Sequence, residues 1–81
     1  MALNLKIVSP EKIEYEGNAE IVSVPGTLGA FEILKDHAPI ISSLEKGVVE
    51  YTCDYGKHQL PILGGFVEVV KNKVTICIEV D

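Results

Sequence analysis

The sequence predicts an all-β fold, a small β-sandwich of about ten short, mostly antiparallel strands arranged in two sheets. In several short segments apolar residues alternate with polar ones, the pattern of a strand with one buried face. Turn-forming residues recur at intervals of about eight to ten residues, and no segment sustains a helical period. With 81 residues, the chain is expected to form one domain covering residues 1–81.

The first part of the chain contains three predicted strands separated by turns. Leu3 to Ile7 alternates cleanly, and the sequence Ser-Pro-Glu-Lys that ends at Lys12 is predicted to close this strand as a turn. Lys12 to Glu16 alternates again, and Gly17-Asn18 is predicted to be the next turn. Ala19 to Val24 is the third strand, with apolar residues on both of its sides.

The middle of the chain continues the same pattern. Gly29 to Leu34 and Ile40 to Leu44 are short apolar segments bounded by turn residues, so both are predicted to be strands. Val49 to Cys53 alternates, and Asp54 to Lys57 is predicted to be a hairpin loop. His58 to Leu63 is then the partner strand of that hairpin.

The last part of the chain has the clearest strand signals. Pro61 cannot donate a ladder hydrogen bond, so its strand should lie at a sheet edge or carry a bulge. Gly64-Gly65 is predicted to bend the chain before a strand from Phe66 to Val70. Lys71 to Lys73 should close a tight hairpin into the strand from Val74 to Val80, where the alternation is most regular.

One segment, Pro25 to Pro39, has an unusual density of turn residues around a short apolar block. Gly26 and Gly29 permit positive φ, and Pro39 favours an extended conformation for the residue before it. We therefore predict a loop of defined shape that presents a surface.

Composition excludes several classes of function. The net charge is −5, and all seven basic residues are lysines, so the guanidinium groups that commonly bind nucleic acid are absent. Nucleic acid is therefore not expected as a partner. The cysteines, Cys53 and Cys77, are too few for a disulfide framework and are expected to be reduced thiols. Neither a signal-peptide core nor an apolar run of membrane-spanning length is present, which predicts a soluble, cytosolic chain.

The residues offer weak candidates for chemistry. Asp36 and His37 could form a carboxylate-oriented general base, but adjacent side chains usually point apart in extended chain. Zinc could be imagined on His37, His58, Cys53 and Cys77, but their spacing matches no short paired motif, so no metal is expected. The loop that begins at Pro25 lacks the lysine and the helix of a phosphate-binding loop, so no cofactor is expected either.

Four segments together resemble the N-terminal domain of the epsilon subunit of the F-type ATP synthase. They are the glycine-bounded strand Gly29 to Leu34, the His-Ala-Pro turn and strand from His37 to Ile41, the Gly-Gly-aromatic strand Leu63 to Val69, and the hairpin Asn72 to Ile76. The resemblance extends in order over essentially the whole chain.

This resemblance implies a β-sandwich at the foot of the central stalk, bound to the gamma subunit and seated on the membrane c ring. Such a subunit couples proton-driven rotation to ATP synthesis and catalyses nothing itself. It lies peripherally on the cytoplasmic face of the bacterial plasma membrane, without inserting into the membrane. The implied c-ring-facing loop comprises Thr27, Leu28, Ala30, Phe31 and Glu32, and His37 lies in the implied rotor interface turn.

Two departures from the family pattern limit what the resemblance implies. Lys35-Asp36 stands where the family commonly has Pro-Gly before the His-Ala-Pro turn, so the shape of that turn is open. The family's C-terminal helical hairpin is expected to be absent, since the sequence stops at Asp81. Nucleotide binding and inhibition of hydrolysis are therefore not expected of these residues.

Three hypotheses of different classes follow. The first is a coupling subunit of a rotary motor, which predicts binding to a gamma subunit and no activity alone. The second is a stand-alone β-sandwich adaptor or ligand-binding module. The third is a small enzyme that uses Asp36 and His37, which predicts turnover that is lost when His37 is replaced.

Overall fold

A computed structural model of the chain describes residues 3–81. Nine strands form in this range, and none of its segments is a helix able to cross a membrane. The strands are β1 (Leu3–Val8), β2 (Ile13–Ala19), β3 (Ile21–Val24), β4 (Phe31–Ile33), β5 (Ile40–Leu44), β6 (Gly47–Cys53), β7 (Gly56–Ile62), β8 (Gly64–Val70) and β9 (Lys73–Glu79). The predicted all-β fold class is confirmed.

The strands form a five-stranded and a four-stranded sheet. The larger has the order β2-β1-β9-β8-β5 and the smaller the order β4-β3-β6-β7. The pairing of β1 with β9 is parallel, and the other strand pairings are antiparallel. Since β1 and β9 are distant in sequence yet adjacent in the larger sheet, that sheet depends on long-range contacts.

A single apolar core lies between the two sheets. Alternate residues of the strands point into it, as the period of two requires. The sequence did not decide which side of β3 is buried. In the structure, Val22 and Val24 point inward and Ile21 is on the outer side. The buried apolar residues are Leu3, Leu5, Ile7, Ala19, Val22, Val24, Ile33, Leu44, Val49, Ile62, Val67, Val69, Val74, Ile76 and Ile78.

Two predicted turns are wrong, and in each case the glycines lie inside a strand. Gly17-Asn18 belongs to β2, and the chain bends at Glu20 instead. A Cβ atom at Gly17 would lie 2.9 Å from the Tyr15 hydroxyl oxygen, so a larger residue there would have to displace the end of the Tyr15 side chain. Gly64-Gly65 likewise belongs to β8 and does not bend the chain before Phe66.

Other local predictions are confirmed. Pro61 lies in β7, which is an edge strand of the four-stranded sheet, where the missing N–H leaves no ladder bond unmade. The hairpin between β8 and β9 turns at Lys71 and Asn72, whose φ angles are 49° and 65°. Two successive residues with positive φ are typical of the type I′ turn that suits a tight β-hairpin.

Ionisation of Tyr15 and Tyr51 is predicted to lower the stability of the fold at alkaline pH. Their ring centroids are 4.5 Å apart, and burial is the main cause that raises the pKa of each phenol above its ordinary value of 10.0. The Tyr15 hydroxyl donates to the Asn18 carbonyl at 2.6 Å. The neighbouring Cys53 thiol adds to the rise in the pKa of Tyr15. Because the folded state disfavours the phenolate, this contribution to stability is complete below the ordinary pKa and is lost as pH rises through the raised pKa values.

We therefore expect the free energy of unfolding, measured by urea titration, to decline above about pH 10. A Tyr15→Phe variant removes one titrating group and should show a shallower decline than the parent chain. An equally steep decline in the variant would show that Tyr15 does not contribute.

Candidate functional site

The loop that follows β3 crosses to the five-stranded sheet and is fixed on β5. The Glu45 N–H donates to the Pro25 carbonyl at 2.9 Å, and the Thr27 N–H donates to the Ser43 carbonyl at 3.1 Å. The hydroxyl groups of Thr27 and Ser43 share a further hydrogen bond of 2.9 Å. This end of the sandwich is therefore joined by backbone hydrogen bonds between the two sheets.

The same loop is internally tight. The Gly29 N–H donates to the Gly26 carbonyl at 3.0 Å. A Cβ atom at Gly26 would lie 2.7 Å from the Gly29 carbonyl oxygen and 3.0 Å from the Phe31 ring. Because Gly29 belongs to this turn, β4 begins only at Phe31. It is therefore shorter than the strand predicted from Gly29 to Leu34. The prediction of a loop with a defined shape is confirmed in its geometry.

The predicted ring-facing residues lie together on this loop but differ in exposure. Leu28 is fully exposed, and Thr27, Ala30 and Glu32 are also exposed. Phe31 is half-buried and packs against the core, so its side chain supports the loop from below. Leu28 is the exposed apolar side chain that a partner could contact directly.

His37 lies in a separate turn close to this loop. Its N–H donates to the Leu34 carbonyl at 3.1 Å, and its ring Nδ1 donates to the Ala38 carbonyl at 2.7 Å. The ring centroids of His37 and Phe31 are 6.3 Å apart, so the turn and the loop share one end of the sandwich. The two segments that the sequence singled out are thus neighbours.

The candidate catalytic pair is not formed. The Asp36 carboxylate accepts a hydrogen bond from the Asn72 amide at 3.3 Å, and the His37 ring is engaged with the backbone at Ala38. Cys53 and Cys77 are free thiols. Among residues 3–81 no three His, Cys, Asp or Glu side chains form a group able to hold a metal ion.

The outer side of the five-stranded sheet carries an apolar face that the sequence reasoning missed. One row of paired residues crosses all five strands of this sheet. In it, the strand register sets side by side Ser43, Phe66, Cys77, Val8 and Ile13. Ile41 is on the same side in the next row, beside Glu68, and Val70 is one row further on, beside Lys73. We call Val8, Ile13, Ile41, Phe66, Val70 and Cys77 the apolar face.

Its side chains are unusually open for apolar residues on a sheet. Ile13 is 52% exposed, Ile41 74%, Phe66 47% and Val70 42%. Phe66 and Val70 were a signal, because Val67 and Val69 already fill the inward positions of the same strand and Glu68 is the one polar residue on its outer side. Charged residues, among them Glu68, Lys6 and Lys73, lie between these apolar side chains on the same side of the sheet. Exposed apolar residues grouped within polar surroundings are a candidate site of interaction.

The outer side of the four-stranded sheet carries paired polar side chains. The Gln59 amide donates to the Glu50 carboxylate at 2.9 Å, and the Lys57 ammonium lies 4.0 Å from the same carboxylate. Polar pairs of this kind are typical of a solvated sheet surface. The outer side of the four-stranded sheet also exposes Ile21 and Val48, so both outer sides combine polar and apolar residues. The loop beginning at Pro25 adjoins the apolar face through Ser43.

Comparisons with known proteins agree with this architecture. Two bacterial ATP synthase epsilon chains are similar in sequence, one from Desulfitobacterium hafniense with 49% identity over 72 residues and one from Cyanothece with 41% over 80 residues. These matches cover 89% and 96% of this chain but only 54% and 56% of the relatives. The chain thus spans about half the length of the curated relatives it matches.

Two solved structures share the fold. One is the mitochondrial ATP synthase of Euglena gracilis, with a TM-score of 0.88 and 21% identity over 95% of this chain and 50% of the other. The second is the central stalk and c ring of the Tetrahymena thermophila enzyme, with a TM-score of 0.81 and 15% identity over 99% and 65%. A family model described as the β-sandwich domain of the ATP synthase delta/epsilon chain matches residues 2–80. With the two-sheet fold and this match over nearly its whole length, the chain belongs to the ATP synthase delta/epsilon β-sandwich family.

Proposed function

We propose that this chain is a rotor subunit that links the gamma subunit to the membrane c ring, so that proton-driven rotation is coupled to ATP synthesis. The observation that carries this proposal is the apolar face beside a rigid, exposed loop, in a fold of the delta/epsilon family. The Tetrahymena structure with the same fold is that of a central stalk and c ring. A linking subunit needs two contact surfaces, and this sandwich offers two adjoining ones.

We assign the gamma subunit to the apolar face. A sheet surface five strands wide and about seven residues long projects to roughly 500 Å². This is the scale of a standard protein interface, in which each partner buries about 800 Å² of accessible surface. Phe66 is the aromatic residue of the face and lies between Ser43 and Cys77. Aromatic side chains are often the residues that contribute most to binding.

We assign the c ring to the loop residues Thr27, Leu28, Ala30, Phe31 and Glu32. Leu28 is the exposed apolar contact, and Phe31 holds the loop on the core. The hydrogen bonds to β5 keep the loop from yielding when torque is applied. We assign His37, whose ring lies 6.3 Å from that of Phe31, to the rotor interface between the two surfaces.

The proposed role is mechanical rather than catalytic. The chain transmits rotation through fixed contacts, and ATP is made elsewhere in the complex. The subunit lies peripherally on the cytoplasmic face of the bacterial plasma membrane, where gamma and the c ring hold it. These residues are not proposed to bind nucleotide.

Co-purification of the 81-residue chain with a cognate gamma subunit tests this proposal. We expect a stoichiometric complex by size-exclusion chromatography. Ala30→Trp should keep gamma binding and lose association with a gamma–c-ring complex, while His37→Glu should weaken both. If the chain is folded by circular dichroism and gamma does not bind, the rotor proposal is wrong and the adaptor hypothesis takes its place.

A further inference from the structure

Asp36 and Asn72 form a reciprocal pair across two turns that are 36 positions apart in sequence. The Asp36 backbone N–H donates to the Asn72 side-chain oxygen at 2.7 Å. The Asn72 side-chain amide in turn donates to the Asp36 carboxylate at 3.3 Å. The turn before β5 is thereby tied to the hairpin between β8 and β9.

Both partners have unusual backbone conformations. Asp36 has a φ of 66° and Asn72 a φ of 65°, in the left-handed region that Asp and Asn tolerate better than most residues. With Lys71, they are the only non-glycine residues of the range 3–81 that have positive φ. The pair therefore joins two turns whose backbones are already strongly restricted.

Asn72 also contacts a third segment. Its carbonyl oxygen accepts a hydrogen bond from the Asn4 N–H at 2.8 Å, near the start of β1. One residue thus joins the hairpin turn, the first strand and the turn that carries His37. Because β1, β8 and β5 all contribute to the apolar face, this junction lies at one end of that face.

We propose that Asn72 is a positioning residue that holds the His37 turn and the entry of β5 in a fixed place on the five-stranded sheet. Ile41, the most exposed member of the apolar face, is the second residue of β5 and follows this turn closely. Fixing the turn therefore sets the position of both His37 and Ile41. The consequence for partner binding rests on the proposed function, whereas the brace itself does not.

Pre-organisation is the physical reason for such a device. Hydrogen bonds near the surface contribute little each to global stability. They can still lower the entropy lost on binding when they hold a contact segment in its bound conformation. Loss of the pair should therefore loosen the turn and weaken partner binding more than it lowers the melting temperature.

Glycine variants isolate the side-chain bonds, because glycine accepts positive φ without strain. In Asn72→Gly the amide at position 36 loses its acceptor, and its hydrogen exchange should become about 5 to 10 times faster. In Asp36→Gly the same amide keeps its acceptor, and exchange should stay within about 2-fold after correction for intrinsic rates. Lys71→Gly is the matched control in the same turn and should leave this exchange unchanged.

Swapping the two side chains between positions 36 and 72 gives the sharper test. Asn72→Asp keeps the acceptor for the position-36 amide but sets a second carboxylate against Asp36, so exchange should rise. Adding Asp36→Asn swaps the donor and acceptor side chains. In this double variant, hydrogen exchange of the position-36 amide should return to within about 2-fold of the parent rate. If Asn72→Gly leaves exchange at positions 36 and 37 unchanged, or if the double variant fails to restore it, the brace is disproved.

Partner binding then tests the positioning role. We expect Asn72→Gly to weaken affinity for gamma about 5 to 10 times relative to Lys71→Gly, at similar melting temperatures. Equal affinities in these two variants would overturn the positioning role. If the parent chain itself does not bind gamma, the proposed function fails, while the exchange measurements still decide whether the brace exists.

Discussion

Replacing Gly65 with alanine is expected to remove about half of the folding stability of this chain, or more. A Cβ atom at this position would lie 2.1 Å from the Cys77 carbonyl oxygen and 3.0 Å from the Ile78 Cα atom. The Gly65 φ of +144° is also one that alanine rarely adopts. Gly65 pairs with Leu44 on one side and Ile78 on the other, so neighbouring strands hold the backbone where the clash occurs.

The size of this effect follows from two unfavourable terms. Backbone strain of this kind costs about 1–3 kcal/mol, and forced overpacking costs about 1–3 kcal/mol more. A domain of this length is usually stable by only about 4–12 kcal/mol. Urea unfolding followed by circular dichroism should therefore show either no cooperative transition or a midpoint far below that of the parent.

Gly56→Ala is the matched control for this prediction. Gly56 also has a positive φ, +109°, but a Cβ atom there would have no neighbour within 4 Å. This variant should lose about 1–2 kcal/mol from strain alone. A Gly65→Ala variant as stable as Gly56→Ala would mean that the contact between β8 and β9 relaxes more readily than the geometry suggests.

Phe66→Lys is expected to reduce affinity for the gamma subunit by roughly 30- to 1,000-fold, while the chain stays folded. Truncating or charging an aromatic contact that anchors an interface removes about 2–4 kcal/mol of binding free energy. Phe66 is 47% exposed and points away from the core, so a lysine can extend into solvent in the free chain. Titration calorimetry with gamma measures the affinity, and the melting temperature should change by only a few degrees.

The other outer side of the sandwich supplies the control. Val48 has nearly the same exposure, 45%, and lies on the outer side of the four-stranded sheet. Val48→Lys should therefore leave gamma affinity within about 2-fold of the parent. Equal losses in the two variants, or a loss only in Val48→Lys, would move the proposed gamma interface away from the apolar face.

The sequence by itself determined the fold class and most strands, because a period of two requires no knowledge of partners. Val74 to Val80 illustrates this, since alternate residues fill one side of β9. The missing N–H of Pro61 also predicted that its strand lies at a sheet edge. Family motifs then pointed to the two segments around Leu28 and His37, which the structure places side by side.

Only the tertiary structure decided how the glycines act and which surfaces are open. Gly17 and Gly65 resemble turn residues in sequence, but both lie within strands, Gly17 against the Tyr15 side chain of its own strand and Gly65 against the backbone of β9. The apolar face depends on strand order and register, which bring Val8 beside Cys77 and Cys77 beside Phe66. The Asp36–Asn72 pair likewise depends on two turns meeting in space, and short-range patterns hold no information about such long-range contacts.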